Sequence, residues 1–410
     1  MRRLGSRRPV DGSTTVDACV ARHAASKPDE IVATHAGRSI TRAELDLYAC
    51  AIADHLRRAG ADRGKTVAIC LPRGIDQIAA CLAVMKVGAA CLALSPDASV
   101  EMLRFRLADC GVVLLVVQNE RDPVVSVAAG AAILTVSPDL TADFREPPPA
   151  AANDLDSRGV AWIAPAVTIG GATCGAEITH ANLMLLAHWL RAECGVRPFD
   201  RICHMAEPGT SAAMLELWPA LAAGATLVIM DDAIAADPAA MRLWLEAEAV
   251  SVLVAGDEAI DALTQAPLGE GARLRLVLTD VERARCYPPD ARFRLVATYG
   301  HDECALVSSA HTVARNERPG GPHIGRPIAG TTIHILDTEG CQVPRGQEGE
   351  MWIGGGGVGR GYRNRPHLTA ERFVPDPFGD DPAGMIFRTG RRARALPGGG
   401  IGYTGMMGAS

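Results

Sequence analysis

The stretch from Trp162 to Leu183, WIAPAVTIGGATCGAEITHANL, limits what this chain can fold into more than any other. An apolar run ending at Ile163 gives way to residues rich in Thr and Gly. Thr179-His180-Ala181-Asn182 then leads into an apolar helical pattern at Leu183, Leu185, Leu186, Trp189 and Leu190. This order predicts a strand, a flexible loop over Ala166 to Gly175 and a helix start. Glycines in such a loop, here Gly170, Gly171 and Gly175, let backbone N–H groups close around a phosphate. The loop contains no Lys or Arg, Cys174 stands where a cation is expected, and only Thr168 and Thr173 supply hydroxyls.

The same alternation runs through the N-terminal third. Helical spacing covers Val16 to Ala25 and Arg42 to Ala59, the second opened by Thr41 with Glu44 three residues on, the pattern of a capping box. Lys65 to Leu71 reads as a buried strand, Ile75 to Lys86 as a helix stopped at Gly88, and Ala89 to Leu94 as the next strand. Strands alternating with helices imply a parallel sheet with crossover helices. Val112 to Val117, Ala132 to Val136 and Leu274 to Thr279 are further strands, and Asp143 to Arg158, with its three consecutive prolines, is a loop. Alternation at Thr331 to Leu336 and around Gly349 to Ile353 predicts a small antiparallel part.

Composition excludes several classes. At 410 residues, 48% hydrophobic and 21% charged, the chain can bury a large core and reads as globular and soluble. A net charge of −6 leaves no footprint for nucleic acid. The apolar stretch Ile78 to Leu94 is broken by Lys86, so a membrane span is not expected. The basic residues 1 to 13 lack an apolar follow-on and read as a loose tail, not a secretory signal. Scattered cysteines without a C-x-x-C pair read as small buried hydrophobes in a reducing cytoplasm. The only lysines are Lys27, Lys65 and Lys86.

Several motifs in a fixed order resemble the adenylate-forming superfamily, in particular the adenylation domains of nonribosomal peptide synthetases. Met85 to Pro96 resembles L-K-A-G-A-A-Y-V-P-L-D-P. The Trp162–Leu183 stretch resembles a phosphate loop T-S-G-S-T-G-x-P-K-G followed by V-x-x-T-H-x-N-L. Glu207 to Ala223 matches F-D-x-S-x-x-E-x-W-P-x-L, and Leu295 to Cys304 matches N-x-Y-G-P-T-E. From Ile324 to Phe373 the likeness is nearly letter for letter. The resemblance covers roughly residues 14 to 408. It implies an α/β fold of two packed α/β subdomains with mostly parallel sheets, approximately 14–150 and 160–320, plus a small distorted β-barrel-like subdomain at 321–390. The C-terminal lid of that family, with its catalytic Lys, is expected to be missing.

The resemblance also implies site residues. ATP would meet Thr168, Gly170, Gly171, Thr173, Gly175, Tyr299 as an adenine platform and Glu303, which would also help hold Mg²⁺. The substrate pocket would include Ser211, Ala212 and Leu215. Several positions depart from the pattern. The loop Lys is Cys174, the ribose-gripping Asp is Arg391, and the Asp that pairs with a substrate ammonium is Ser211. The Thr before Glu303 is Asp302, the adenine-side G-G-E is Asp280-Val281-Glu282, and the hinge Arg and Asp are Met406 and Gly408. Read for themselves, Tyr299 is a packed strand-end tyrosine, Glu303 a solvated carboxylate, and Cys174 either an inert loop thiol or one activated at a helix N-terminus. His301-Asp302-Glu303-Cys304 has no spaced partner, which favours structure over zinc.

Two functions fit these departures. One is an adenylation-domain-like protein without adenylation activity, a partner of an assembly-line carrier or synthetase. The other is an atypical ATP-dependent ligase that borrows its lid and acts on an acid lacking an α-ammonium group.

Overall fold

In the computed structural model, residues 14–136, 156–167, 171, 173–265, 268–280, 291–315, 323–379 and 381–406 are described. The expected helices form at Val16–Ser26, Arg42–Arg58 and Ile75–Val87. The capping box is present: the Thr41 hydroxyl accepts from the Glu44 N–H at 3.2 Å, and the Glu44 carboxylate accepts from the Thr41 N–H at 2.8 Å. Gly88 ends its helix in the left-handed conformation at φ +83°, where any side chain would introduce strain.

Three sheets result among the described residues. The six-stranded sheet runs Ala132–Thr135, Val112–Val117, Thr66–Cys70, Ala90–Leu94, Val160–Val167, Thr173–Thr179, all neighbours parallel except the last pair. The nine-stranded sheet runs Arg326–Pro327, Ser309–Thr312, Arg294–Tyr299, Leu276–Asp280, Val252–Ala255, Arg201–His204, Thr226–Ile229, Ile31–His35, Arg38–Thr41. A five-stranded antiparallel sheet takes Thr331–Leu336, Glu348–Gly355, Phe373–Pro375, Met385–Ala395 and Ile401–Met406. The sheets do not follow chain order. Ile31–Thr41 joins strands from 201 to 327, and Val160–Thr179 joins those of the first third, so the units expected at 14–150 and 160–320 exchange strands.

Helices Ile75–Val87 and Ser211–Ala223 are buried almost all round, as expected of apolar helices lying between layers. Trp162 from the six-stranded sheet meets Trp218 from the second helix edge-on, ring centroids 5.8 Å apart. One hydrophobic cluster runs through both α/β sheets into the antiparallel one, reaching Ile353 and Phe387. No helix among the described residues is long and apolar enough to cross a membrane.

Candidate functional site

The Thr/Gly stretch is not one long loop. Thr173–Thr179 is a strand that pairs back on Val160–Val167, with Cys174 opposite Ala166 and Gly175 opposite Pro165. Alternating small and β-branched residues fit a strand as well as a loop, and the pairing partner lies too close in sequence to leave a longer connection. Thr168 and Gly170 lie outside the described residues; Gly171 takes φ +77°. Cys174 is therefore neither in a loop nor at a helix N-terminus. It is 2% exposed, and burial pushes its thiol up to about 12. A guanidinium that sequence reasoning missed, that of buried Arg106, donates to the Cys174 carbonyl at 3.2 Å. Thr173 and Cys174 line one wall of a cleft of about 780 Å³, whose one arginine, Arg365, is held by Asp109.

Helix His180–Ala192 starts where the sequence placed it, capped by Thr179, whose N–H donates to the Asn182 side-chain oxygen at 2.8 Å. Asn182 also donates to the carbonyls of Gly356 and Val358 at 2.7 and 3.1 Å. Beside it, residues 359–363 lie along the Thr173–Thr179 strand: Arg360 N–H donates to Glu177 O, Glu177 N–H to Gly361 O, and Arg363 N–H to Gly175 O, at 2.8–2.9 Å. Gly359 is required there, because a Cβ would sit 2.6 Å from Glu177 O and 3.0 Å from Glu303 O. Arg363 closes the seam by pairing with Glu177 at 2.9 Å.

This seam delivers Tyr362 to Glu303. The tyrosine hydroxyl donates to the Glu303 carboxylate at 2.6 Å, and burial, the largest cause, raises the carboxyl above its usual range. Glu303 is 5% exposed, so it is no solvated carboxylate. Mg²⁺ prefers charged oxygens that keep room for several waters, and an inward carboxyl tied to a phenol fits that poorly. Among the described residues no three His, Cys, Asp or Glu side chains gather to hold a metal.

Ser211 opens helix Ser211–Ala223 after the cap Thr210, with Ala212 and Leu215 on the following turn. Its hydroxyl donates to Asp302. A carboxyl thus faces the serine from the neighbouring element. Burial pushes Asp302 up to about 6, against the Ser211 hydrogen bond. Glu216, further along the helix, accepts from His204 at 2.6 Å and from the Met205 and Ala206 N–H groups at 3.1 and 3.0 Å, fixing the chain that leads to Ser211.

Tyr299 ends its strand only 9% exposed, with the rings of His301 and Tyr403 at 5.6 and 6.2 Å. His301 lies 5.6 Å from Phe387. Arg391, in Met385–Ala395, points its guanidinium at Tyr403, 3.2 Å from the hydroxyl and 6.0 Å from the ring centre. Arg372 lies 5.3 Å from the Phe387 ring. Burial first, then both guanidiniums, hold His301 down to about 3. Val281, Glu282 and Gly408 lie outside the described residues. Tyr362, Arg372 and Tyr403 were not legible as site residues, since no local spacing connects them to Glu303 or Tyr299.

A family model described as AMP-binding enzyme matches residues 20–363. Two of the linear gramicidin synthase subunits of Brevibacillus parabrevis are similar to the chain. One is 33% identical over 95% of this chain and 5% of that protein, the other 31% identical over 94% of this chain and 8% of that protein. Against surfactin synthase subunit 1 of Bacillus subtilis (strain 168) the chain is 27% identical over 98% of its length and 11% of that protein. It therefore spans a small fraction of the curated relatives it matches. The crystal structure of the nonribosomal peptide synthetase FmoA3 in its α-methyl-L-serine-AMP bound form superposes with a TM-score of 0.86 at 23% identity, covering 98% of this chain and 46% of that one.

Proposed function

Since the chain belongs to the AMP-binding enzyme family and is built like a nonribosomal peptide synthetase adenylation domain, we propose that it is an adenylation-domain-like protein that does not itself form acyl-adenylates. The observation that carries this reading is Cys174. Activating an acid with ATP requires cations at the phosphates as pyrophosphate leaves, and losing one charge-stabilising donor costs roughly 10²–10³ in rate. At Cys174 the chain offers a buried, neutral thiol in a strand. The Glu303–Tyr362 hydrogen bond adds to the argument, because it engages the carboxyl that resemblance assigns to Mg²⁺.

Such a protein would serve by binding, with a synthetase or carrier protein of peptide assembly as its partner. The test is pyrophosphate exchange over a panel of amino and carboxylic acids, with and without an added lid domain. The expected result is exchange at background for every acid; clear substrate-dependent exchange under either condition removes the proposal.

A further inference from the structure

The cleft of about 780 Å³ beside Thr173 opens where the seam leaves the edge of a sheet. Thr173–Thr179 is the last strand of the six-stranded sheet, and residues 359–363 cover only part of its outer side. Both backbone groups of Glu177 turn outward to Arg360 and Gly361, and the Gly175 carbonyl turns outward to the Arg363 N–H. Pro165, opposite Gly175 on the inner side, has no N–H to offer. Inward and outward backbone groups alternate along such a strand with a period of two, so the N–H and carbonyl of Thr173 also point outward. There the cover stops. Asn364 turns at φ +55°, the Arg365 N–H folds back onto the Tyr362 carbonyl at 3.2 Å, and Pro366 starts a helix. The Asn364 side chain donates to the Asp109 carbonyl at 2.9 Å, and Arg365 pairs with the Asp109 carboxylate, so the departing chain is anchored away from the strand. Among the described residues none pairs with the outward groups of Thr173.

Phe105, Pro366 and Leu368 give this cleft an apolar side. Phe105 is 41% exposed, and Met102, one turn back on the same helix face, is 46% exposed, so the apolar surface continues past the rim. The charge leans acidic: Arg365 is neutralised by Asp109, whereas Glu371 has no ion pair among the described residues. A phosphate therefore finds no unpaired guanidinium here. An open strand edge beside an apolar cleft takes up an extended peptide, main-chain hydrogen bonds supplying affinity and alternate side chains entering the pocket. Residues 361–363 already use that mode on the same edge. We propose that the cleft docks an extended segment of a second polypeptide, which continues their line along Thr173, sets an apolar side chain against Phe105 and Leu368, and turns a basic residue toward Glu371. The proposal rests on the reading that the chain serves by binding, and adds the surface and the chemistry of the partner.

The experiment is fluorescence anisotropy of the labelled heptapeptide Lys-Thr-Leu-Thr-Val-Thr-Lys with the whole chain. Three altered peptides accompany it: one N-methylated at alternate backbone nitrogens, one with Ser for Leu and Val, and one with Glu for both Lys. The expected result is saturable binding of the parent below millimolar concentration. N-methylation and the loss of the apolar side chains should each weaken it at least about tenfold, a difference of about 1.4 kcal/mol, and the acidic peptide should bind more weakly than the parent. Phe105→Ser should weaken the parent peptide by a similar factor, whereas Phe199→Ser, at a phenylalanine 80% exposed elsewhere, should leave it unchanged. Glu371→Gln should narrow the gap between the basic and acidic peptides. A thermal melt of each variant shows that the fold persists. No saturable binding by any peptide, equal binding of the N-methylated peptide, or binding indifferent to Phe105→Ser overturns the proposal. So does a dimer in sedimentation that Phe105→Ser dissolves, since the occupant would then be a second copy of this chain. Pyrophosphate exchange measured on the same preparations reports separately on adenylation, so either reading can fail alone.

Discussion

Two neighbouring regions of this molecule treat polar groups in opposite ways. Along the seam where residues 356–363 lie against Thr173–Asn182, the polar groups that cross the gap meet partners, although Arg363 Nε is buried without one. Asn182 bridges two carbonyls, Glu177 meets Arg363, and three backbone N–H groups find carbonyls across the gap. Around Tyr299 burial dominates instead: it holds His301 neutral and pushes the carboxyls of Asp302 and Glu303 upward, and among the described residues neither Arg391 nor Arg372 forms an ion pair. Satisfied buried groups stabilise and fix a geometry, whereas unbalanced ones cost stability and persist where something else uses them. The seam keeps the fold, whereas the groups around Tyr299 are held away from their ordinary ionisation by burial.

The largest effect should come from the seam. Asn182→Ala strands two carbonyls and the Thr179 N–H in a region where the side chain is 3% exposed. Leaving such groups unpaired costs about 1–3 kcal/mol each before relaxation, so urea unfolding should show a loss of about 3 kcal/mol. A loss below about 1 kcal/mol would mean that water replaces the asparagine and that the seam is not the stabilising region.

Around Tyr299 the expected effect is smaller and depends on pH. Asp302 has a folded-state pKa of about 6 against an ordinary 3.8, so the folded protein holds the proton more tightly than the unfolded chain. Its contribution to stability is present below about pH 4 and is lost as pH rises through 6, by about 2 kcal/mol. Asp302→Asn should flatten the stability profile between pH 4 and 7 by that amount in chemical unfolding. An unchanged slope would place the carboxyl in water and erase the contrast with the seam.

The smallest effect sharpens the boundary between the regions. Cys174 lies where seam and cleft meet, buried, with its thiol pushed up to about 12. Thiolates are the reacting species, so iodoacetamide at pH 8 should alkylate exposed Cys341 in the native protein and reach Cys174 only after unfolding. Mass spectrometry of the native digest reads this directly. Prompt alkylation of Cys174 would show that the hairpin opens.

Much of the fold was legible from the chain alone. Periodicity located the helices at Val16–Ser26, Arg42–Arg58 and Ile75–Val87, and the Thr41–Glu44 box and Gly88 fixed a start and a stop. These signals involve residues within a few positions of each other, where propensity and capping act. The helix Val100–Asp109 is capped by Ser99 and buries Leu103 and Leu107, but its apolar Val100, Met102 and Phe105 stay exposed and blur the stripe that periodicity would read. Thr173–Thr179 reads as loop because Gly and Thr serve both states, and only its partner Val160–Val167 decides for the strand.

What the sequence determined by itself was the alternation of strands and helices, the caps, and which residue types stand at which positions, including a cysteine at 174 and an arginine at 391. Only the tertiary structure decided that Ser211 meets Asp302, that Tyr362 engages Glu303, and that Arg391 rests on Tyr403. The first two pairs join residues 91 and 59 positions apart. Local conformational energies cannot choose such partners. They are set by strand order and register, which bring distant side chains together at the end of a sheet and, with them, the charge balance any ligand would meet.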